Sequence, residues 1–261
     1  MIVFVKLGGS LITVKDQPRQ LRPEVLTRLL EEISAARVAR PGLKLLLGHG
    51  SGSFGHVEAR KYGTQRGVHT PEAWRGFAEV QAAAAELNHR VVAAARAAGL
   101  PVFNLPPSAS VLCREGAIQA MALEPVRTAL NHDLVPLVYG DVAVDAERGG
   151  TIVSTEDIFA FLARTLCPAR LLLAAIEPGV LIRWPGGAVV PVITPDTPLG
   201  SVGGSHAADV TGGMASKVSQ MLALAAALPE LEIRIFSGME PGLLRAVLLQ
   251  EAEPGTLIRA R

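Results

Sequence analysis

"LLLGHGSGSFGHVEARKYG", residues 45–63, runs an apolar strand into glycines and serines, with a histidine on either side. Residues 50–55, GSGSFG, match the G-x-G-x-x-G spacing of a dinucleotide-binding turn. Such a turn closes the first strand of a βαβ unit and leads directly into a helix. It is followed, about 20 residues on, by an acidic residue at a strand end. Here the run follows the second apolar strand. The next stretch, HVEARKYGTQRG (56–67), has no clear helical stripe, and Glu72 falls at a helix start. The dinucleotide reading is therefore weak. What remains is an anion nest, in which Gly50, Ser51, Gly52, Ser53 and Gly55 can turn backbone N–H groups toward a phosphate. A protonated histidine at the rim adds a donor. His56, which ends the loop, is the expected anion contact; His49, at the strand end, is expected to be structural.

Around this loop, short apolar runs alternate with helical patterns. Residues 2–5, 43–48, 102–105, 136–142, 171–176 and 233–237 read as buried strands. Most lack period-two alternation, as in a parallel sheet covered on both faces. Residues 22–40 place Leu26, Leu29, Leu30 and Ile33 on one helical face, with Pro23 in the first turn. A long helix runs from Thr70 as N-cap to Gly99, and a third covers 214–228. The alternation predicts an α/β fold, an open αβα sandwich with a mainly parallel central sheet. Pro and Gly gather at 178–204, which reads as hairpins and loops. A boundary near 165–170 divides the chain into two lobes of one continuous sheet.

Bulk properties exclude several classes of function. The 261 residues are 49% hydrophobic and 19% charged, with a net charge of +1, so no strong field favours nucleic acid or a membrane surface. An anionic ligand must be held locally. Cys113 and Cys167 have neither metal spacing nor a disulfide framework and are expected to be buried free thiols. The N-terminal apolar run is too short for a signal peptide, and no stretch approaches the roughly 18 apolar residues that span a bilayer. A cytoplasmic chain is expected.

Three further motifs carry candidate chemistry. In KLGGSLITVK (6–15), Lys6 ends a strand before a tight turn at Gly8, Gly9 and Ser10, and Lys15 lies just downstream. Paired glycines let backbone N–H groups approach an anion. In DVTGGMASK (209–217), glycines open a helix with Lys217 in its first turns, and helix N-termini favour phosphate. In VYGDV (138–142) and VSTEDI (153–158), Asp141, Glu156 and Asp157 lie near strand ends or a helix start. One of these carboxylates can position lysines around a reacting group, although Ser154 or Thr155 with the acids can equally be a helix cap. Phosphoryl transfer needs mostly positioning and positive charge, and the set supplies both.

With these motifs in this order, and GTLIRAR (255–261) at the end, the chain resembles the amino acid kinase family, and within it the isopentenyl phosphate kinase branch. GSFGH (52–56) is the mark of that branch. The resemblance implies an N-terminal lobe, 1–165, for acceptor binding and dimerisation, and a C-terminal lobe, 166–261, for ATP. It implies transfer from ATP, with Mg²⁺, to isopentenyl phosphate by a homodimer, with no nucleic acid or membrane partner. By it Lys6, Gly8, Gly9 and Ser10 hold ATP phosphates, with Gly52 close by and Gly213 and Lys217 gripping from the other lobe. Lys15 stabilises the transferring group. Gly50, Ser51, His56 and Gly140 hold the acceptor, and Glu156 and Asp157 form the acidic pair. The alternatives are a fosfomycin-type phosphonate kinase and a non-catalytic member that binds nucleotide or anion. The family's Asp-rich stretch after the strand at 171–175 is replaced by AAIEPGVLIRW, and Ser51 stands where the loop usually has glycine. The helix at 70–98, with Ala83, Ala84 and Leu87, can wall an apolar slot.

Overall fold

The computed structural model describes residues 1–183, 185–197 and 213–260. In chain order the first half contains β1 (Ile2–Leu7), α1 (Gly9–Ile12), α2 (Pro23–Ala39), β2 (Lys44–His49), α3 (Gly52–Tyr62) and α4 (Pro71–Ala97). It continues through β3 (Val102–Asn104), β4 (Leu112–Arg114), β5 (Ala117–Ala120), α5 (Glu124–Asn131), β6 (Val135–Tyr139), β7 (Asp141–Asp145) and β8 (Gly149–Val153). The rest is α6 (Thr155–Leu166), β9 (Arg170–Ala175), β10 (Val192–Ile193), α7 (Gly213–Ala227), β11 (Glu232–Ser237), α8 (Leu243–Leu249) and β12 (Thr256–Ile258).

Eight strands form one sheet in the order β10-β12-β11-β9-β1-β2-β6-β3, parallel throughout except for β11 against β12. β1 is buried on both faces. Val3, Val5 and Leu7 face the core beneath α2, α4 and α8, while Phe4 joins the core under α6 and α7. Two covered faces explain why the strands read as continuous apolar runs. The stripe of α2 behaves as its spacing requires: Leu26, Leu29, Leu30 and Ile33 are all buried, each contributing on the order of 1.5–3 kcal/mol. α4 begins at a true cap, Thr70 Oγ1 accepting the Ala73 N–H at 3.2 Å, and stops where Gly99 adopts φ +79°.

β1 lies between β2, which follows it in the chain, and β9, which begins the last third. The sheet therefore changes direction of growth at β1, and its carboxyl end is the place where α/β sheets open a crevice. β9 starts at Arg170, so strands before and after the 165–170 boundary make up the two halves of the sheet.

The structure corrects four readings. Residues 136–142 are two strands: β6 ends at Tyr139 in the main sheet, and β7 starts at Asp141 in a second, four-stranded sheet ordered β5-β4-β7-β8. The residues after the glycine run do form a helix, and α3 begins within that run at Gly52. The Gly8-Gly9-Ser10 turn is a single helical turn, α1, with Gly8 as N-cap. Only one thiol is buried: Cys113 is, and burial pushes it up to about 11, whereas Cys167 is exposed at the end of α6. In the Pro/Gly-rich stretch, Leu181 and Val189 form an antiparallel bridge around a turn closed by the Gly187 N–H to the Arg183 carbonyl. Trp184, residues 198–212 and Arg261 lie outside the described residues, and with them Asp209 to Gly212 of the third motif.

Candidate active site

The carboxyl ends of β1, β2, β6 and β9 open onto a cleft of about 620 Å³. Its floor is two glycine segments in backbone contact. A Cβ on Gly9 would lie 2.6 Å from Gly52 N, and one on Gly50 would lie 2.8 Å from Gly9 N. No side chain fits at either position, so these glycines are set by close approach. Ser51 has φ −73° and ψ −12°, an ordinary helical conformation, so serine sits there without strain. Because α3 starts at Gly52, its positive N-terminal end faces the cleft beside α1. One criterion for a dinucleotide turn, the helix that follows it, is thus met after all. The loop still belongs to the second strand, and Glu72 still lies in the first turn of α4 rather than at a strand end.

Cations surround this floor. Lys6, near the end of β1, is buried and ion-paired with Glu156; Lys217 Nζ from α7 lies 3.9 Å from the other oxygen of that carboxylate. Glu156 is 4% exposed. Burial pushes its carboxyl up, but the Lys6 and Lys217 charges outweigh this and hold it below the usual range. Asp157, its neighbour, points elsewhere. It accepts the Ser154 N–H at 2.8 Å while its own N–H donates to Ser154 Oγ at 3.0 Å, a capping box for α6. Its other oxygen accepts Gln220 Nε2 at 2.7 Å, tying α6 to α7. Of the acidic pair, then, Glu156 meets the lysines, and Asp157 ties α6, which carries Glu156, to α7, which carries Lys217.

Lys15, in the exposed segment after α1, lines the same cleft, as do Gly8, Gly9, Ser10, Gly50, Gly52 and Gly140. His56 is half-buried one turn into α3, and Arg60, four residues on, lines the cleft from the same helical face. Sequence reasoning missed Arg60, because its i+4 relation to His56 counts only once residues 52–62 are known to be a helix. Gly213 is the first residue of α7, which lines the cleft through Met214 and Lys217. Asp141 is buried at the rim, accepting N–H groups from Ser108 and Val142, and burial pushes its carboxyl up.

His49 is fully buried, its ring stacked on Tyr139 at 5.4 Å. Its nitrogens lie 3.0 Å from the Gly50 carbonyl oxygen and 3.2 Å from Asn88 Oδ1, and burial lowers its pKa. It braces the turn from beneath and does not line the cleft.

One side of the cleft is apolar. Val80 and Ala84 of α4, Ala59 of α3 and Ile152 of β8 form it; Ala83 and Leu87 are buried elsewhere and do not. Toward β9 the lining is Ala174, Ile176, Glu177 and Leu181, so an isoleucine and a glutamate occupy the stretch where the family often carries aspartates. Among the described residues no group of three or more His, Cys, Asp or Glu side chains is arranged to hold a metal.

The family model described as "Amino acid kinase family" matches residues 1–237. The isopentenyl phosphate kinase of Methanothermobacter thermautotrophicus is 32% identical to this chain over 271 positions, covering 100% of both. That of Haloferax volcanii is 34% identical over 260 positions, covering 99% of this chain and 98% of the relative. Among solved structures, one of an isopentenyl phosphate kinase superposes with a TM-score of 0.85 at 30% identity, covering 99% of this chain and 100% of the other. The product complex of the Thermoplasma acidophilum isopentenyl phosphate kinase shares the fold, with a TM-score of 0.79 at 24% identity, over 99% of this chain and 100% of that one.

Proposed function

The chain belongs to the amino acid kinase family, and on that premise we propose that it transfers the γ-phosphoryl group of ATP to isopentenyl phosphate, giving isopentenyl diphosphate and ADP. The observation that carries this reading is the two-sided cleft. Cations and glycine N–H groups line one part, and Val80, Ala84, Ala59 and Ile152 line another. A short hydrocarbon ending in phosphate matches both halves.

The acceptor is a phosphate whose second pKa is about 6, so it is mostly dianionic at neutral pH. One of its oxygens attacks the γ-phosphorus as the bond to the ADP oxygen breaks. The nucleophile needs no general base; it needs its charge offset and its position held. In this proposal Lys6, Gly8, Gly9 and Ser10 hold the ATP phosphates, with Gly52, Gly213 and Lys217. Gly50, Ser51, His56 and Gly140 hold the acceptor, and Lys15 meets the transferring group. Residues 1–165 then carry the acceptor site and lend Lys6, Gly8, Gly9, Ser10 and Gly52 to the ATP phosphates, and 166–261 form the nucleotide lobe. Mg²⁺ typically keeps to phosphates, waters and at most one or two carboxylates, and in this proposal it arrives with ATP. A homodimer in the cytoplasm completes the proposal.

The test is ADP release with isopentenyl phosphate, other phosphomonoesters and fosfomycin as acceptors. Isopentenyl phosphate should be the best of them; preference for fosfomycin would make the enzyme a phosphonate kinase, and turnover of none would leave a binding protein.

His56→Ala should raise the isopentenyl phosphate KM and lower kcat, with ATP affinity nearly unchanged. A charge-assisted hydrogen bond sets the loss at about 1.5–3 kcal/mol in kcat/KM. His56→Asn keeps a donor without the charge and should fall between. Loss of ATP binding with the acceptor KM intact would give this loop to the nucleotide instead.

The apolar wall sets acceptor length. Ala84→Phe should reject prenyl phosphates longer than five carbons, and Val80→Ala should admit them, in graded fashion because a pocket discriminates by only about 1–3 kcal/mol per methylene. Identical chain-length profiles for the two variants would put the hydrocarbon elsewhere.

A further inference from the structure

Thr13, at the end of α1, is fully buried against the floor of the cleft. Its hydroxyl joins the two glycine segments. Oγ1 donates to the Gly9 carbonyl at 2.8 Å and accepts the Ser53 N–H at 3.0 Å. Gly9 belongs to the turn after β1, and Ser53 to the first turn of α3. The fit leaves no slack, since a Cβ on Gly52 would lie 2.3 Å from Thr13 Oγ1.

We propose that Thr13 is a positioning residue for phosphoryl transfer: its hydroxyl sets the placement of the donor-phosphate turn relative to the acceptor-phosphate turn. This rests on the assignment of those turns given above. In-line transfer needs the reacting atoms about 3–3.5 Å apart and aligned, and a displacement of about 1 Å can cost 10²-fold in rate. Each turn binds its own phosphate, so an error between them leaves both binding steps intact and appears in kcat. Packing alone resists such a shift less than a buried hydroxyl with both partners made, because hydrogen bonds are directional and strong where water is excluded. The Gly9 carbonyl also accepts the Thr13 N–H at 2.9 Å, so it stays satisfied without the hydroxyl. The loss falls on the Ser53 N–H, at the start of α3.

The experiment compares wild type with Thr13→Val, Thr13→Ala and Thr13→Ser, measuring kcat, both KM values and the melting temperature. Thr13→Val keeps the volume without the hydroxyl; Thr13→Ala removes the hydroxyl without crowding Gly52. Both should lose about 10- to 100-fold in kcat with each KM within about threefold of wild type, and Thr13→Ser should recover most of the rate. Unchanged kcat in Thr13→Val or Thr13→Ala overturns the inference. So does a loss confined to KM, failure of both variants to fold, or a Thr13→Ser variant no faster than Thr13→Ala. A wild-type chain inert toward isopentenyl phosphate overturns the functional reading and this inference together. An active wild type with an unaffected Thr13→Val variant overturns the inference alone.

Discussion

Glu156→Gln should lower kcat by at least about 10², the scale for losing preorganised electrostatic support, and should lower stability as well. Both effects follow from one geometry. The carboxylate is 4% exposed and lies between Lys6 and Lys217, one ammonium buried and the other at the mouth of the cleft. Glutamine keeps the shape and removes the charge. The two lysines then repel each other with no anion between them, and removing one partner of a buried pair costs about 3–5 kcal/mol. In catalysis the same change frees the ammonium groups from the positions at which they are proposed to meet phosphate oxygens. Glu156→Asp keeps the charge on a shorter arm and should retain more of both properties.

A pH series separates charge from packing. The Glu156 carboxyl is held below the ordinary carboxylate range in the folded chain, because Lys6 and Lys217 outweigh the burial that raises it. Its stabilisation is therefore complete above the unfolded-state value and is lost as pH falls through the lower folded value. The gap in melting temperature between wild type and Glu156→Gln should be full at neutral pH and shrink in acid. A gap that is constant with pH would mean that the substitution acts through packing, and wild-type turnover in Glu156→Gln would remove Glu156 from the lysine-holding role.

Much of this site could be read from sequence because its chemistry needs glycine and lysine at strand ends, and those residues punctuate the apolar runs. The strands were legible for a related reason: a parallel sheet covered on both faces gives short continuous apolar runs, and their length and the glycines or prolines that bound them set them apart from helices. α3 was not legible. Its buried residues are Gly52, Ser53, Phe54, Gly55 and Ala59, and a set of mostly small residues gives no apolar stripe. Gly52, which argues locally against a helix, is required by close approach to Gly9 and Thr13 of the α1 segment, and a Cβ on Gly55 would meet Ser51 at the start of the same helix. The break at Gly140 was hidden because residues on both sides are buried, Tyr139 in one sheet and Val142 in the other. β4 and β5, of three and four residues, are too short for periodicity to show.

The acidic pair shows where a local rule reaches further than a motif. Ser154 and Asp157 have capping-box spacing, and committing Asp157 to the cap leaves Glu156 for the lysines. The α4 wall shows the opposite limit. The sequence placed Ala83, Ala84 and Leu87 together on the wall, but only the packing of α3 and the β7–β8 hairpin decides that Val80 and Ala84 meet the cleft while Leu87 enters the core.

Lys15→Ala should lower kcat by about 10² or more, as expected for losing one preorganised cation, and leave the melting temperature nearly unchanged. Lys15 lies in the exposed segment after α1, outside the buried Lys6–Glu156 pair, yet it lines the cleft alongside His56 and Lys217. Substitution at an exposed position away from such a pair usually moves stability by no more than about 0.5 kcal/mol. Catalysis is different, because charge spreads over the equatorial oxygens of the moving phosphoryl group and an ammonium there gains most at the transition state. Interaction made chiefly at the transition state appears in kcat, with both KM values little altered. Lys15→Arg keeps the charge on a broader, planar head and should recover only part of the rate. The contrast with Glu156 is the diagnostic: one position couples catalysis to stability, the other separates them. Steady-state kinetics and thermal melts on Lys15→Ala decide the matter, and wild-type kcat in a folded variant would assign the transferring phosphoryl group to other cations of the cleft.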